Sequence, residues 1–442
     1  MAAVQSKRDE TNSMLTKQPR FDLESITLNY QGRTKFQRLL LIGINSSVLG
    51  VDALKAAIHD AKNGKDTQHY LDAHGHLKII APHEAEAQKD SEWIMRTEES
   101  NQSETYRLEA ELKQYKNNLI KESIRMGNED LGKHYQAMGE LNKAFDAFNR
   151  MRQEASIPKH IIDVCRRLIE VSIEQRNWIV AITNVQKIRQ VVTSSDEDKG
   201  LQPFLCAIEG LASLDTGKYF SAANFFLNAE SGVGQKFNTI IISNDIAVYG
   251  GLCALATFGR EELETRVLKN ANFRTYLELE PQIRRAITFF INGRYTDCLG
   301  ILDAYHTDYS LDIYLQNHIN EIYELIRRKS IIQYFIPFSC VAIDSLNKIF
   351  AAPGKDINKE LIKMIECKEL DAKIDTQNQL LISVQPTPRH SLQKYTLEMA
   401  KNYEHEARLR ILHVNICSAE LDIKNKKAGP DMIDSSFDTV GG

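Results

Sequence analysis

The segment LGKHYQAMGELNKAFDAF, residues 131–148, decides how most of this chain folds. Its small residues, Gly132 and Ala144, allow two antiparallel helices to approach each other closely. Its aromatic residues, Tyr135 and Phe148, fill the space between one helical hairpin and the next. The spacing therefore predicts a pair of packed helices that needs neighbours of the same kind.

Turns of the same kind return at regular intervals along the sequence. Their spacings are 37, 41, 42 and 34 residues, and they are centred on Gly139, Arg176, Gly217, Gly259 and Gly293. At Gly139 the missing side chain permits a tight turn between two helices. Five hairpins at such spacings are typical of tetratricopeptide-like repeats, in which each hairpin covers the apolar face of its neighbour. We predict an all-helical solenoid over residues 104–320.

The sequence before the repeats also predicts helices. From Phe21 to Ile80 apolar residues recur at steps of three and four, which indicates helices with one buried face. A polar stretch follows from His83 to Asn101. A long helix is then predicted from Glu104 to Met126, and Gly127 is expected to end it. Within the repeats, Ser194–Gly200 is predicted to be an exposed loop.

The pattern changes after Ile319. A second helix is predicted to carry Val341, and a third runs from Lys359 to Cys367. Two segments of alternating polarity, Ala372–Asp375 and Gln379–Val384, then predict a short hairpin. Helices followed by a two-stranded wing predict a winged-helix domain.

A long helix is predicted from Ser391 to about Lys424. Its apolar residues recur at steps of four or three, at Tyr395, Met399, Tyr403, Ala407, Ile411, Val414, Cys417 and Leu421. At 1.5 Å per residue the helix is about 50 Å long. One helix cannot bury such a stripe on itself, so the stripe packs either on its own domain or in a bundle with other chains.

The predicted fold class is mainly α, with a tetratricopeptide-like solenoid, a winged-helix domain and a long C-terminal helix. The predicted regions are a disordered tail over 1–20, an N-terminal helical region over 21–103, the repeats over 104–320, the winged helix over 321–388, the C-terminal helix over 389–425 and a disordered tail over 426–442.

Patterns for catalysis and metal binding lead to no site. The His-x-His at His74–His76 is predicted to lie in exposed polar connections, and it lacks cysteines and the converging ligands that a metal needs. The segment also departs from the metalloisopeptidase pattern, because Glu84 and Ala87 stand where serine and aspartate are required. Gly64–Thr67 is more simply a turn than a phosphate loop, since His59 replaces the upstream glycine. We expect no enzyme activity, metal or cofactor.

Charge and composition favour protein partners. The net charge of −4 gives no overall attraction to nucleic acid or to an anionic membrane. Lys359–Leu370, the winged-helix segment that would read DNA, has three lysines against three glutamates. No apolar run reaches the roughly 18 residues of a membrane span. Seven scattered cysteines and the absence of a secretory pattern lead us to expect a reducing, intracellular location. A nucleic-acid-binding winged helix is the alternative from another functional class.

Two sets of segments carry a resemblance to known families. The first set resembles the PCI module shared by scaffold proteins of the proteasome lid, the signalosome and translation initiation, and comprises Tyr334–Ser339, Leu361–Ile365 and Ala372–Asp375. The second set is similar to the family of first subunits of the COP-nine signalosome, and comprises Asn244–Phe258, Tyr276–Pro281 and Ile120–Arg125. The resemblance covers about residues 20–425.

This resemblance implies a non-catalytic scaffold in a complex that removes the modifier Nedd8 from cullin-RING ubiquitin ligases, in both cytoplasm and nucleus. It implies that winged helices of several subunits align edge to edge, with subunits two and three as neighbours, and that C-terminal helices join one bundle. The implied interface residues are Lys373, Ile374, Asp375, Leu380, Leu381, Ile382, Val384, Tyr395, Met399, Tyr403, Ile411, Val414 and Leu421. The alternative within the same architecture is the paralogous non-ATPase subunit of the proteasome regulatory lid.

Overall fold

The computed structural model describes residues 19–155, 157–191, 201–230, 238–350, 357–384 and 388–419. The loop predicted at Ser194–Gly200, Leu421 and both predicted tails, apart from residues 19 and 20, lie outside these ranges. Helices dominate the described residues, which confirms the predicted mainly α-helical class. The six ranges given above for the regions of the chain stay predictions.

The helices are α1 Leu23–Asn29, α2 Gly32–Asn45, α3 Gly50–Asn63, α4 Thr67–Ile80, α5 Ser91–Asn117, α6 Lys121–Met138, α7 Leu141–Gln153, α8 Pro158–Glu174, α9 Trp178–Val191, α10 Gln202–Asp215, α11 Tyr219–Leu227, α12 Ser243–Thr257, α13 Arg260–Glu262, α14 Ala271–Leu279, α15 Pro281–Ile291, α16 Tyr295–Ser310, α17 Ile319–Phe335, α18 Ile343–Phe350, α19 Asn358–Glu366 and α20 Pro388–Ser418. The strands are β1 Cys340–Ala342, β2 Ala372–Asp375 and β3 Leu380–Ser383, and a π-helix spans Leu263–Leu268.

Consecutive helices of the repeats pack as hairpins, α6 on α7, α8 on α9 and α10 on α11. A Cβ atom on Gly132 would lie 2.5 Å from the ring of Phe148, so only glycine allows α6 and α7 this separation. Gly210 has the same relation to Phe226, at 2.7 Å, in the hairpin of α10 and α11. The predicted role of Gly132 is confirmed, and Phe148 packs against it within the same hairpin. The predicted role of Phe148 between successive hairpins stays a prediction.

Four of the five predicted turns share one backbone conformation, with a positive φ between 58° and 87°, at Gly139, Arg176, Gly217 and Gly293. In each, the next residue donates its N–H to the carbonyl five residues earlier, as Glu140 does to Tyr135 at 2.9 Å. This arrangement satisfies the last carbonyl groups of the first helix and directs the chain into the second. The turn at Gly259 differs, because its φ is −65° and it caps α13.

The helix predicted from Glu104 to Met126 is wrong at both ends. α5 already begins in the polar stretch before Glu104, because the Asp90 side chain caps it by accepting a backbone N–H of its first turn. α5 ends early because Leu119 adopts a left-handed φ of 53°. Gly127 therefore lies inside α6, where a Cβ would come within 3.1 Å of side chains on α5.

The chain divides into two compact units. The first unit consists of the chain up to Pro337 and of the later segment Ser345–Ile357. The second unit consists of Phe338–Asp344 and of the chain from Asn358 onward. The second unit has an antiparallel sheet with the strand order β1-β3-β2, which confirms the predicted hairpin of β2 and β3. Val341 lies in β1, where it pairs with Leu381 of β3. The prediction that Val341 lies in a helix is therefore wrong, because pairing with β3 overrides the local helical spacing.

Replacing Gly132 by alanine is expected to lower the free energy of unfolding by about 1–3 kcal/mol, because the added methyl group overpacks the contact with Phe148. The matched control is Gly75→Ala in α4, where nothing lies within 4 Å of the added atom. The control should raise the free energy of unfolding by about 0.5–1 kcal/mol. Urea unfolding followed by circular dichroism measures the free energy of unfolding of both variants. Equal changes in Gly132→Ala and Gly75→Ala would refute close packing at Gly132.

Candidate functional site

The interface residues predicted in the wing divide between an edge strand and the central strand. β2 holds Lys373, Ile374 and Asp375, and β3 holds Leu380, Leu381 and Ile382. Leu381 is fully buried, so its side chain belongs to the interior of this unit. Ile382 and Val384 are 39% and 40% exposed. Of the predicted wing residues, Lys373, Ile382 and Val384 are therefore exposed, and Ile374, Asp375 and Leu380 are half-buried.

The outer edge of β2 presents unpaired backbone groups. The N–H of Val384 donates to the carbonyl of Asp371 at 3.0 Å, which identifies one hydrogen-bonded pair of the ladder. Such pairs alternate along an antiparallel ladder, so Lys373 bonds to β3 and Ile374 points its N–H and C=O away from it. Among the described residues, no strand pairs with β2 on that side. A strand of another protein can be added there.

The apolar stripe predicted on the C-terminal helix is exposed in this chain. The exposed fraction lies between 56% and 77% at Tyr395, Met399, Tyr403, Ile411 and Val414. Among the described side chains of α20, Ala407 alone is half-buried. The stripe therefore finds no cover in the part of the chain that the structure describes.

A second apolar face on α20 escaped the sequence analysis. Leu409, Leu412 and Ile416 follow one another at steps of three and four, and they are 52%, 57% and 36% exposed. At 3.6 residues per turn they lie roughly opposite Ile411 and Val414. A helix that is apolar on two sides is typical of one surrounded by other helices. The spacing of Leu409, Leu412 and Ile416 was an available signal of this face in the sequence.

A buried ion cluster joins the N-terminal helices to the later repeats. We call it the Arg38 cluster and define it as Tyr30, Arg38, Asp245, Tyr249 and Asp312. The guanidinium of Arg38 on α2 lies 3.1 Å from a carboxylate oxygen of Asp245, at the start of α12, and 2.5 Å from one of Asp312. The hydroxyl of Tyr30 donates to Asp245 at 2.6 Å, and that of Tyr249 donates to Asp312 at 2.8 Å. Arg38 also stacks over the ring of Tyr30, 4.1 Å from its centroid.

Electrostatics within the Arg38 cluster are set by burial and by the two carboxylates. Burial raises the pKa of Asp245, although Arg38 opposes the shift. Burial alone would lower the pKa of Arg38, but Asp245 and Asp312 raise it well above its ordinary value. Arg38 therefore stays charged, and it is the cation that makes two buried aspartates tolerable. Four of its members, Tyr30, Arg38, Asp245 and Asp312, line a cavity of about 190 Å³.

Neither Arg38 nor Asp312 was predicted from the sequence to be a functional residue. Their partners were nevertheless inside the segment Asn244–Phe258 that carried the family resemblance. Asp245 and Tyr249 stand one helical turn apart in an otherwise apolar helix, and that spacing was an available signal of a buried polar contact.

The histidine segment is placed differently from the prediction. His74 is not in an exposed connection: it lies on the buried face of α4, and its Nε2 is 2.9 Å from the carbonyl oxygen of Ala87. Asp66 caps α4, so Gly64–Thr67 is a turn between helices, as predicted. Within the described ranges, no three His, Cys, Asp or Glu side chains form a group that could hold a metal. No helix in these ranges is long and apolar enough to cross a bilayer.

Comparison with protein families gives two matches. Residues 90–266 match the family described as 26S proteasome subunit RPN7, which covers the hairpins from α5 to α12. Residues 302–384 match the PCI domain, which contains the three-stranded sheet. Both matches agree with helical repeats that lead into a winged helix.

Sequence identity to curated proteins distinguishes the two predicted families, signalosome subunit 1 and the paralogous subunit of the proteasome regulatory lid. The COP9 signalosome complex subunit 1 of Emericella nidulans is 47% identical over 417 residues, which is 92% of this chain and 84% of that protein. Its namesake in Neurospora crassa is 44% identical over 92% of this chain and 93% of the relative. The 26S proteasome non-ATPase regulatory subunit 6 of Dictyostelium discoideum is only 20% identical, over 71% of this chain and 81% of its own length. The chain therefore belongs to the family of COP9 signalosome complex subunit 1.

Proposed function

We propose that this chain is a non-catalytic scaffold subunit of the COP9 signalosome, which supports removal of Nedd8 from cullin-RING ligases by holding other subunits together. The observation that carries the proposal is α20, a 31-residue helix with exposed apolar residues on two faces. An exposed apolar surface of this kind marks a site of contact with other proteins, and on a long helix other helices are the partners that cover it. Membership of the subunit 1 family indicates which complex supplies those helices.

We assign the proposed contacts to two surfaces of the chain, the edge of β2 and the helix α20. The open edge of β2 pairs with the winged helix of a neighbouring subunit, and subunits two and three are the proposed neighbours. α20 enters a bundle formed by the C-terminal helices of the other subunits. Cullin-RING ligases meet the chain only indirectly, through the assembled complex. We place that complex in both the cytoplasm and the nucleus.

Replacing Ile374 by proline is expected to prevent edge pairing while the wing stays folded. Proline lacks the N–H that points away from β3, whereas the ladder bonds of Lys373 and Asp375 remain. Ile374→Ala is the matched control, because it shortens the same side chain but keeps the N–H. Affinity purification of the tagged full chain from native lysate should recover the neighbouring subunits with Ile374→Ala and lose them with Ile374→Pro. Equal recovery would mean that β2 is not the pairing edge.

The same purification distinguishes the alternative, a subunit of the proteasome regulatory lid. The match of residues 90–266 to the RPN7 family is the observation that favours it. Recovery of proteasome ATPases without cullins or the isopeptidase subunit would establish the lid assignment. Recovery of cullins and the isopeptidase subunit supports the signalosome.

A further inference from the structure

A second buried cluster joins the N-terminal helices to the first hairpins, and we call it the Arg33 cluster: Arg33, Asp66, His69, Gln136 and Glu174. Arg33 lies in the first turn of α2, and its guanidinium is 2.6 Å from Asp66 and 3.3 Å from Glu174, at the end of α8. The side-chain amide of Gln136, on α6, donates to the other oxygen of Glu174 at 2.7 Å. The guanidinium of Arg33 thus pairs with carboxylates from two different parts of the fold.

The geometry fixes the charge of His69. Its Nε2 lies 2.8 Å from a guanidinium nitrogen of Arg33, which can only donate, so Nε2 accepts and carries no proton. The ring stacks on Phe36 with centroids 3.9 Å apart, which leaves His69 a neutral, largely buried group. Arg33 is therefore the only cation of the cluster. With both carboxylates ionised the cluster carries one uncompensated negative charge.

Glu174 is the carboxylate of the Arg33 cluster whose oxygens receive the fewest hydrogen bonds. Its Oε2 is buried and accepts no hydrogen bond, although Arg33 Nε is 3.3 Å away. Asp66, in contrast, accepts the backbone N–H groups of Gln68 and His69 as the cap of α4. A buried carboxylate oxygen without a donor is a site at which a proton binds favourably.

We propose that Glu174 is a proton-binding site that couples the docking of the N-terminal helices on the repeats to pH. Arg33, Asp66 and His69 all belong to the N-terminal helices, whereas Gln136 and Glu174 belong to the repeats. When the two parts separate, Glu174 returns to water and to an ordinary carboxylate environment. Docking therefore takes up a proton at Glu174, and a rise in pH loosens it.

The neighbouring charges support this direction. Burial raises the pKa of Glu174 to about 7, and Glu170 and Asp66 act in the same sense, while Arg33 and the hydrogen bond from Gln136 act against it. Burial lowers the pKa of His69 to about 4, and Arg33 lowers it further, whereas Asp66, Asp72 and Asp60 oppose this. A folded-state pKa above the ordinary value means that the stabilisation is complete below about pH 4.5 and is lost as the pH rises through about 7.

Hydrogen–deuterium exchange of the full chain tests the proposal. With a pKa of about 7 when docked and 4.5 when open, the Glu174 carboxyl should make the equilibrium constant for opening rise about tenfold more between pH 6 and pH 8 than it does in a chain without this carboxyl. The amides of α2 and α4 report it, after correction for the intrinsic exchange rate. In Glu174→Gln this rise should disappear, because the amide does not titrate.

Two further variants complete the test. Glu174→Met removes the titrating group with a side chain of similar length and should also abolish the rise. Glu122→Gln changes an exposed carboxylate on α6 and should keep the wild-type rise. The measured quantity is the equilibrium constant for opening at pH 8 divided by the constant at pH 6. A variant that is uniformly less stable changes both constants equally and leaves this ratio unchanged. Equal ratios in the wild type and both Glu174 variants would overturn the proposal.

Discussion

Replacement of Arg38 by methionine is expected to lower the free energy of unfolding of the first unit by about 3–5 kcal/mol, the usual cost of breaking a buried ion pair. Methionine fills similar space but leaves Asp245 and Asp312 without their cation. Both carboxylates would then be buried within one cluster, together with the hydroxyl groups of Tyr30 and Tyr249. The measurement is urea unfolding of the full chain at pH 7.5.

Lys35→Met is the matched control for the Arg38 variant, because it removes another cation from the same helix. Lys35 pairs with Asp60 at 2.8 Å in a half-buried position, and its loss should cost no more than about 1 kcal/mol. Adding Asp245→Asn and Asp312→Asn to Arg38→Met should restore part of the lost stability, because no unpaired charge remains. An Arg38 variant as stable as the Lys35 variant would show that the cluster contributes little.

The double variant Ile411→Asp and Val414→Asp is expected to fail to enter the complex, while the isolated chain keeps its stability. Both side chains are 62% exposed in the free chain, so two aspartates there stay in water. In a helix bundle each would be buried without a partner, at a cost of several kcal/mol. Co-purification with other subunits measures entry, and thermal unfolding of the isolated chain measures stability.

The control for the double variant carries the same added charge on the same helix. Gln393→Glu and Asn402→Asp also add two negative charges to exposed positions of α20, but they change polar side chains. This pair should enter the complex as the wild type does. Normal entry of the Ile411 and Val414 variant would show that α20 is not buried on assembly.

Local spacing predicted the hairpins, because each depends on residues less than twenty positions apart. Gly132 and Phe148 carry the contact between α6 and α7, and both are visible in one short segment. The turn at Gly139 was equally local, since a left-handed residue with its backbone hydrogen bonds forms it. Most of the repeat architecture and the exposed stripe of α20 were therefore predictable.

The two arginine clusters were not predictable in the same way. Arg38 and Asp312 are 274 positions apart, and neither has an unusual neighbourhood in the sequence. β1 has only three residues and forms because β3 is beside it, so helical spacing around Val341 gave the wrong answer. The start of α5 was missed because the polar residues from Arg96 to Thr105 separate its first apolar residues, Trp93–Met95, from the stripe that begins at Tyr106. Polarity alone does not distinguish an exposed helix from a connection.

The Arg38 cluster has a consequence for the order in which the chain can fold during synthesis. Asp245 and Asp312 leave the ribosome 207 and 274 residues after Arg38. At about 5–20 residues per second, the arginine waits about 10 s at the least and almost a minute at the most for its partners. During that interval the first helices can already close on the hairpins that contribute Gln136 and Glu174. Arg38, however, stays without its full set of carboxylates until Asp312, in the last third of the chain, has been translated.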